Sequence, residues 1–180
     1  MVSGRPEGHA GGVAPLVSGA RGKEALGILD EVKDPEVPVL SVVELGIIRG
    51  VEAEGARVAV TITPTYSGCP AMKVIEDDVR EALERAGFHD IGIRTVYAPA
   101  WTTDWIPGPA REKLRAYGIA PPAKVTGDTL ISLGRTVRAV ECPYCGSLHT
   151  ALESEFGATA CKSVHVCRSC RQPFEHFKAF

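Results

Sequence analysis

Apolar residues alternate through Arg57 to Thr63. Val58, Val60 and Ile62 fall on one side, with Ala59, Thr61 and Thr63 on the other. That period of two predicts a strand with one buried face. Pro64 ends the strand, and Ser67-Gly68 supply a tight turn. From Pro70 the period becomes helical, with Met72, Ile75, Val79, Leu83 and Ala86 sharing a face. Proline is tolerated at a first helical position because its missing N–H would have no partner there. Gly87 suits the C-terminal cap. Upstream, Ala25, Ile28, Leu29 and Val32 mark an amphipathic helix from Gly22, which the two prolines of D-P-E-V-P (Asp34 to Pro38) must stop. A bend and a strand follow over Val39 to Glu54, and Gly55 turns that strand into the first one as an antiparallel hairpin. Ile91, Ile93, Thr95 and Tyr97 alternate as a third strand. Helix, hairpin, helix, strand predicts a compact α+β domain over residues 22–120, with its helices on one face of a mixed sheet.

Three stretches lack such a pattern. Residues 1–21, rich in Gly, Ala, Pro and Ser, read as a disordered tail. P-A-W-T-T-D-W-I-P-G-P (Pro99 to Pro109) holds both tryptophans of the chain. It either folds back to cap the core with its indoles or exposes them as an anchor for a partner. A short charged helix runs from Arg111 to Tyr117. Residues 121–134, opened by Pro121-Pro122, read as a linker.

Residues 135–180 add a different chemistry. C-P-Y-C (Cys142, Cys145) and C-R-S-C (Cys167, Cys170) each put two sulfurs on one tight turn. Two such turns complete a tetrahedral four-thiolate site. The 21-residue gap from Gly146 to Val166 fits a strand out and a strand back, slightly above the usual zinc-ribbon spacing of about 15–20. β-rich segments flank the knuckles at Val137 to Glu141, Ser163 to Val166 and Pro173 to Phe180, which suits a zinc ribbon. A module of roughly 45 residues buries little core, so a metal is expected to supply much of its folding energy. Such sites take zinc or iron, and spacing does not decide between them. With no open position the metal should be structural. Cys161 lies outside both knuckles and reads as a buried hydrophobe, an alternative ligand or a reactive thiol.

Cys69 stands at the strand–loop–helix junction, where unpaired N–H groups and the positive end of the helix dipole favour a thiolate. Burial as a small hydrophobe is the competing reading. Asp34, Glu36 and Glu44 are the nearest carboxylates in sequence. They reach Cys69 only if the loop after the first helix folds over the start of the second; otherwise they serve helix termination and turns.

Composition narrows the classes. The chain is 44% apolar with a net charge of −2, and carries six cysteines. No apolar run approaches the roughly 20 residues that span a bilayer, and the first residues lack the apolar core of a signal peptide. Six cysteines without an export signal point to metal or thiol chemistry in the cytoplasm. From Glu141 onward four acidic residues balance four basic ones, leaving no basic stripe for nucleic acid. H-E-x-x-H, G-x-S-x-G, G-x-x-x-x-G-K-[ST], strand-following G-x-G-x-x-G and E-x-x-H are all absent.

D-P-E-V-P-V-L-S-V-V-E-L-G-I-I (Asp34 to Ile48) followed by T-I-T-P-T-Y-S-G-C-P-A (Thr61 to Ala71) resembles the small domain of iron–sulfur cluster assembly factors. That resemblance implies that Cys69 is the functional thiol, with Asp34, Glu36 and Thr63 in its neighbourhood. With P-A-W-T-T-D-W-I and the four-cysteine ribbon added, the chain from about residue 24 resembles the D-subunit family of the bacterial phenylacetyl-CoA epoxidase system. The resemblance implies an accessory protein that helps assemble a metal centre in the oxygenase or the iron–sulfur reductase subunit. Cys69 would transiently hold iron or a nascent cluster, its thiolate favoured by the helix N-terminus. One cysteine cannot hold a cluster alone, so a second protomer or a client should supply further ligands. Two other readings stand beside this one: a scaffold that docks the two subunits, and a thiol redox protein pairing Cys69 with Cys161.

Overall fold

The computed structural model describes residues 14–66, 68–123 and 139–180. Its elements in chain order are β1 (Leu16–Ser18), α1 (Gly22–Leu29), β2 (Ile48–Glu54), β3 (Arg57–Ile62), α2 (Ala71–Arg85), β4 (Asp90–Thr95), a 3₁₀ turn (Thr103–Trp105), α3 (Gly108–Ala116), β5 (Ile119–Ala120), β6 (Thr150–Ser154), β7 (Lys162–Cys167) and β8 (Pro173–Phe177).

The first sheet has the order β1-β2-β3-β4. β2 and β3 form the expected antiparallel hairpin around Gly55, whose φ of +58° a side chain would resist. β4 returns parallel to β3 after the α2 crossover. The inward faces follow the alternation in the sequence. Val51 and Ala53 of β2 and Val58, Val60 and Ile62 of β3 are buried beneath Ala25 and Leu29 of α1 and Ile75, Val79 and Leu83 of α2. α2 closes on Gly87 at φ +86°, with Gly87 N–H donating to Glu84 O and Phe88 N–H to Leu83 O. This paired arrangement satisfies the last carbonyls and drops the fully buried Phe88 into the core.

Two edges differ from the sequence expectation. Leu16–Ser18, expected within a tail over 1–21, pairs in parallel with Gly50 to Glu52 of β2, and the rest of that tail up to Val13 lies outside the described residues. Alternation cannot reveal such a strand, because all three residues are exposed and only their backbone is recruited. Ile119–Ala120, expected at the end of the first domain, pairs in parallel with Glu175 and His176 of β8. They therefore open the second sheet, of order β5-β8-β7-β6. The linker over 121–134 lies mostly outside the described residues. α3 starts at Gly108, three residues before the charged stretch, with Pro107 at its cap and Pro109 in its first turn.

In the ribbon, β6 and β7 are the outward and returning strands inside the cysteine gap, and β7 pairs β8. Ala139 to Glu141 are not in a strand, while Val137 and Arg138 are outside the described residues. The ribbon does not stand apart. Phe177 of β8 and Cys161 before β7 belong to the same buried cluster as Leu29, Ile75 and Trp101. Trp101 is buried, and its Nε1–H donates to Leu45 O at 2.8 Å. Its ring meets Phe177 and Phe180 at centroid distances of 6.4 and 6.2 Å. Thr102 Oγ1 donates to Phe180 O at 2.8 Å, and Phe180 stacks on Tyr66 of the first domain. Trp105 is half-buried beneath the Arg49 guanidinium. The W-T-T-D-W stretch thus clamps the ribbon onto the α+β domain.

Candidate functional site

The four knuckle cysteines converge. Their sulfurs lie within 4.8 Å of one another, with Cys142 Sγ 3.7 Å from Cys170 Sγ and Cys145 Sγ 3.6 Å from Cys167 Sγ. A tetrahedral zinc with Zn–S near 2.3 Å needs sulfurs about 3.8 Å apart, so these thiols fit a four-thiolate metal. The Cys170 amide donates to Cys167 Sγ, and this backbone bond leads the causes that bring the Cys167 thiol down to about 6. Gly146 at φ +71° and Arg171 at φ +63° carry the two knuckles out of the metal loop. Cys142 and Cys167 are buried, packing with Phe174 and Ala120.

Cys69 sits on the loop that leads β3 into α2, and its packing decides its chemistry. Its N–H donates to Tyr66 O, and its own carbonyl accepts from Met72 N as α2 begins. Pro70 occupies the cap position, without a side-chain cap. The loop after α1 does fold over this helix start. Asp34 is buried, its Oδ1 accepting from the Glu36 and Val37 amides at 2.8 Å each. That is the turn chemistry expected of D-P-E, but it also places the carboxylates of Asp34 and Glu36 within electrostatic reach of the Cys69 sulfur. Burial raises the Asp34 carboxyl despite its two amide partners.

The expectation that the helix N-terminus lowers the Cys69 pKa is therefore reversed. Burial of the sulfur raises it first. The Ala71 amide opposes this, but Glu36 raises it further, the Thr65 hydroxyl lowers it less, and Asp34 raises it again. The helix end does act on Cys69; desolvation acts more strongly, and Glu36 and Asp34 add to the rise.

Thr63 is placed differently from its neighbours. Its N–H donates to Ile47 O at the end of β3, and its buried Oγ1 has no hydrogen-bond partner among the described residues. The hydroxyl directed at Cys69 is that of Thr65. Glu44 faces elsewhere, paired with Lys113 Nζ at 2.6 Å.

Two contributors to this site have no local signal in the sequence. The Tyr66 carbonyl accepts from the Cys69 N–H, and burial first, then the Cys69, Glu36 and Cys161 side chains, raise its phenol pKa. Cys161, from the ribbon, directs its sulfur at Glu36 Oε2 at 3.5 Å and lies 3.0 Å from Thr159 Oγ1. It is 4% exposed, and burial foremost pushes its thiol up to about 11. Spacing and periodicity cannot find this contact, because 125 residues separate Cys161 from Glu36.

Comparison with known proteins gives the arrangement a context. Residues 23–88 match the family model described as "Iron-sulfur cluster assembly protein", and residues 127–178 match "PaaD zinc beta ribbon domain". The chain is 44% identical over 160 residues to a protein of Escherichia coli (strain K12) described as the putative D subunit of a 1,2-phenylacetyl-CoA epoxidase, covering 86% of this chain and 91% of that protein. It is 36% identical over 81 residues to the "Fe-S protein maturation auxiliary factor YitW" of Bacillus subtilis (strain 168), covering 44% of this chain and 78% of the other. Among solved structures, a domain of unknown function DUF59 from Bacillus anthracis superposes with a TM-score of 0.48 at 27% identity, covering 51% of this chain and 89% of that one. Among the described residues, no helix is long and apolar enough to cross a membrane.

Proposed function

The chain belongs to the D-subunit family of the 1,2-phenylacetyl-CoA epoxidase, and on that basis we propose that it is a maturation protein which carries iron, free or as a nascent iron–sulfur cluster, on Cys69. The observation that carries this reading is the setting of Cys69, a half-buried thiol with Asp34 and Glu36 within electrostatic reach. Such surroundings hold the proton on sulfur, which makes Cys69 a poor free nucleophile. They equally attract a cation, and a thiophilic cation that displaces the proton turns the thiol into a ligand. The Ala71 amide and the Thr65 hydroxyl then donate to the thiolate that forms. Thr63 keeps a supporting place at the root of this loop. The clients are the oxygenase and iron–sulfur reductase subunits of the epoxidase, and a client or a second copy of the chain completes the ligand set.

The same family relation and the sulfur spacings support structural zinc on Cys142, Cys145, Cys167 and Cys170, with the metal holding the knuckles and taking no part in transfer. The chain is then organised as an α+β domain whose sheet begins with Leu16–Ser18 and a ribbon whose sheet takes in Ile119–Ala120, the two joined by the aromatic clamp.

Reconstitution with ferrous iron and sulfide tests the assignment. Wild type should retain iron beyond the ribbon metal, and Cys69→Ser should lose that fraction while keeping the ribbon metal. Equal iron in both would remove Cys69 from the function and favour a scaffold that docks the oxygenase and reductase.

A further inference from the structure

The open face of the first sheet carries cations that the fold itself leaves unused. α1 and α2 cover one face and bury Val51, Val58 and Val60 there, while Ala59, Gly92 and Arg94 lie on the other and are exposed. At one end of the open face Arg49 occupies the β-bulge between Ile48 and Gly50. Its half-buried guanidinium lies flush with Trp105, the carbon 4.0 Å from the ring centroid. Gly46 permits that packing, since a Cβ there would come within 3.3 Å of Trp105 Cβ. Among the described residues Arg49 makes no hydrogen bond or ion pair. Its Nη1 is enclosed without an acceptor, and burial is what lowers its pKa, with no carboxylate opposing the shift. Across the strands Gly50 pairs with Thr61, and Thr61 pairs with Arg94 of β4. Arg94 reaches back over this row, its Nη2 donating to Thr61 Oγ1 at 3.2 Å, and among the described residues it too has no carboxylate partner. The two arginines thus flank β3 from either side, on strands about 10 Å apart. The other end of the face differs, because Arg57 there is paired with Asp90 at 3.4 Å.

We propose that Arg49, stacked on Trp105, and Arg94 form a docking surface for an acidic segment of a partner protein, whose carboxylates take the two guanidinium groups. The inference rests on the reading of the chain as one that serves the oxygenase or reductase subunit, and adds where that partner is held. A partly desolvated guanidinium without an acceptor is unfavourable, and a carboxylate seated on its fork supplies both the counter-charge and the missing acceptors. Stacking on the indole fixes the plane of the fork, which suits bidentate binding. Ala59 and Gly92, paired in register, keep the middle of the face low. A broad sheet face of this kind suits a protein surface, whereas small ligands favour clefts. Arg49 is the anchor, and the exposed Arg94 steers the approach. β3 leads from Thr61 into the loop that bears Cys69, so one strand joins the docking surface to the cargo loop.

Binding to the proposed clients tests the surface. The full chain, loaded with zinc, is immobilised, and the metal-free oxygenase and reductase subunits are each titrated over it by interferometry, with the unfolding midpoint of every variant measured. Wild type should bind one of them, with an affinity that falls as salt rises. Arg49→Met should weaken that binding about tenfold or more, as loss of one member of a desolvated charge pair does, and Arg94→Gln should weaken it by a smaller factor. Arg57→Gln, the same loss of charge at the other end of the face, should leave it unchanged. Wild-type binding by Arg49→Met, or an equal loss in Arg57→Gln, overturns the surface and leaves the reading of Cys69 standing. If wild type binds neither subunit, the surface and the choice of clients fall together. A dimer of this chain that Arg49→Met dissolves, with client binding intact, would give the face to a second copy and overturn the proposal. Should Arg49→Met lose its fold, Arg49→Lys decides, since it keeps the charge but not the fork: weakened binding supports the surface, and unchanged binding overturns it.

Discussion

Truncating Trp101 tests whether the two domains form one cooperative unit. The indole is 6% exposed and touches three things. Its N–H satisfies Leu45 O at 2.8 Å, and its ring meets Phe177 and Phe180. Trp101→Phe keeps an aromatic body but strands the Leu45 carbonyl, at a cost of about 1–3 kcal/mol. Trp101→Ala also removes two aromatic contacts of about 0.5–1.5 kcal/mol each, and the total should fall near the roughly 3–5 kcal/mol typical of a buried Trp→Ala. Trp105 is the control. It is half-buried under Arg49, and Trp105→Leu should lose about 0.5–1 kcal/mol of cation–π attraction plus modest packing. Urea unfolding of the metal-loaded chain reads these values from the midpoint at constant slope. Alkylation of Cys161, followed by mass spectrometry, should accelerate in Trp101→Ala because Phe177 and Phe180 lose their anchor. A Trp101→Ala cost below about 1 kcal/mol, or unaltered Cys161 protection, would refute the clamp.

Other outcomes follow from the same geometry. Stripping the ribbon metal with a chelator should unfold β6–β8 and also lower the stability of the α+β domain, because Phe177 is part of its core. An unchanged unfolding midpoint for that domain would show the cores to be independent. His176 is held neutral, its pKa lowered by burial from 6.5 to about 4. The unfolded chain therefore binds the extra proton first, and stability should fall by about 3 kcal/mol as pH drops through that window. Zinc-saturated His176→Gln should show a shallower acid slope, and an identical slope would contradict the burial effect. Glu36→Gln removes a charge that raises the Cys69 pKa, so the pH profile of Cys69 alkylation should move to lower pH. A profile that stays put or moves up would contradict the placement of Glu36.

Local chemistry is legible in the sequence where it repeats. The alternation in β3, the helical period of α2, the cap at Gly87 and the paired knuckles each depend on residues close in sequence, and each appears where the sequence puts it. β1 and β5 escape such a reading because they are short edges that borrow their order from a neighbour's backbone. The sign of the Cys69 shift is hidden for a related reason. The helix end that favours a thiolate is local, whereas the burial and the two carboxylates that oppose it arrive through tertiary packing. Cys161 shows the limit most clearly, since its environment is made by residues from the far end of the chain. The tryptophan pair is ambiguous between core and anchor in the sequence, and the structure gives Trp101 a share of each, as an anchor within its own chain.

Whether Cys69 bears metal cargo for the epoxidase is tested most directly by transfer. The chain is loaded with ⁵⁷Fe and mixed with the metal-free oxygenase or reductase, and the label is followed by Mössbauer spectroscopy as partner activity returns. Wild type should pass iron to one partner and restore its activity, while Cys69→Ser, folded and carrying its ribbon metal, should pass none. Equal restoration by Cys69→Ser would contradict the assignment.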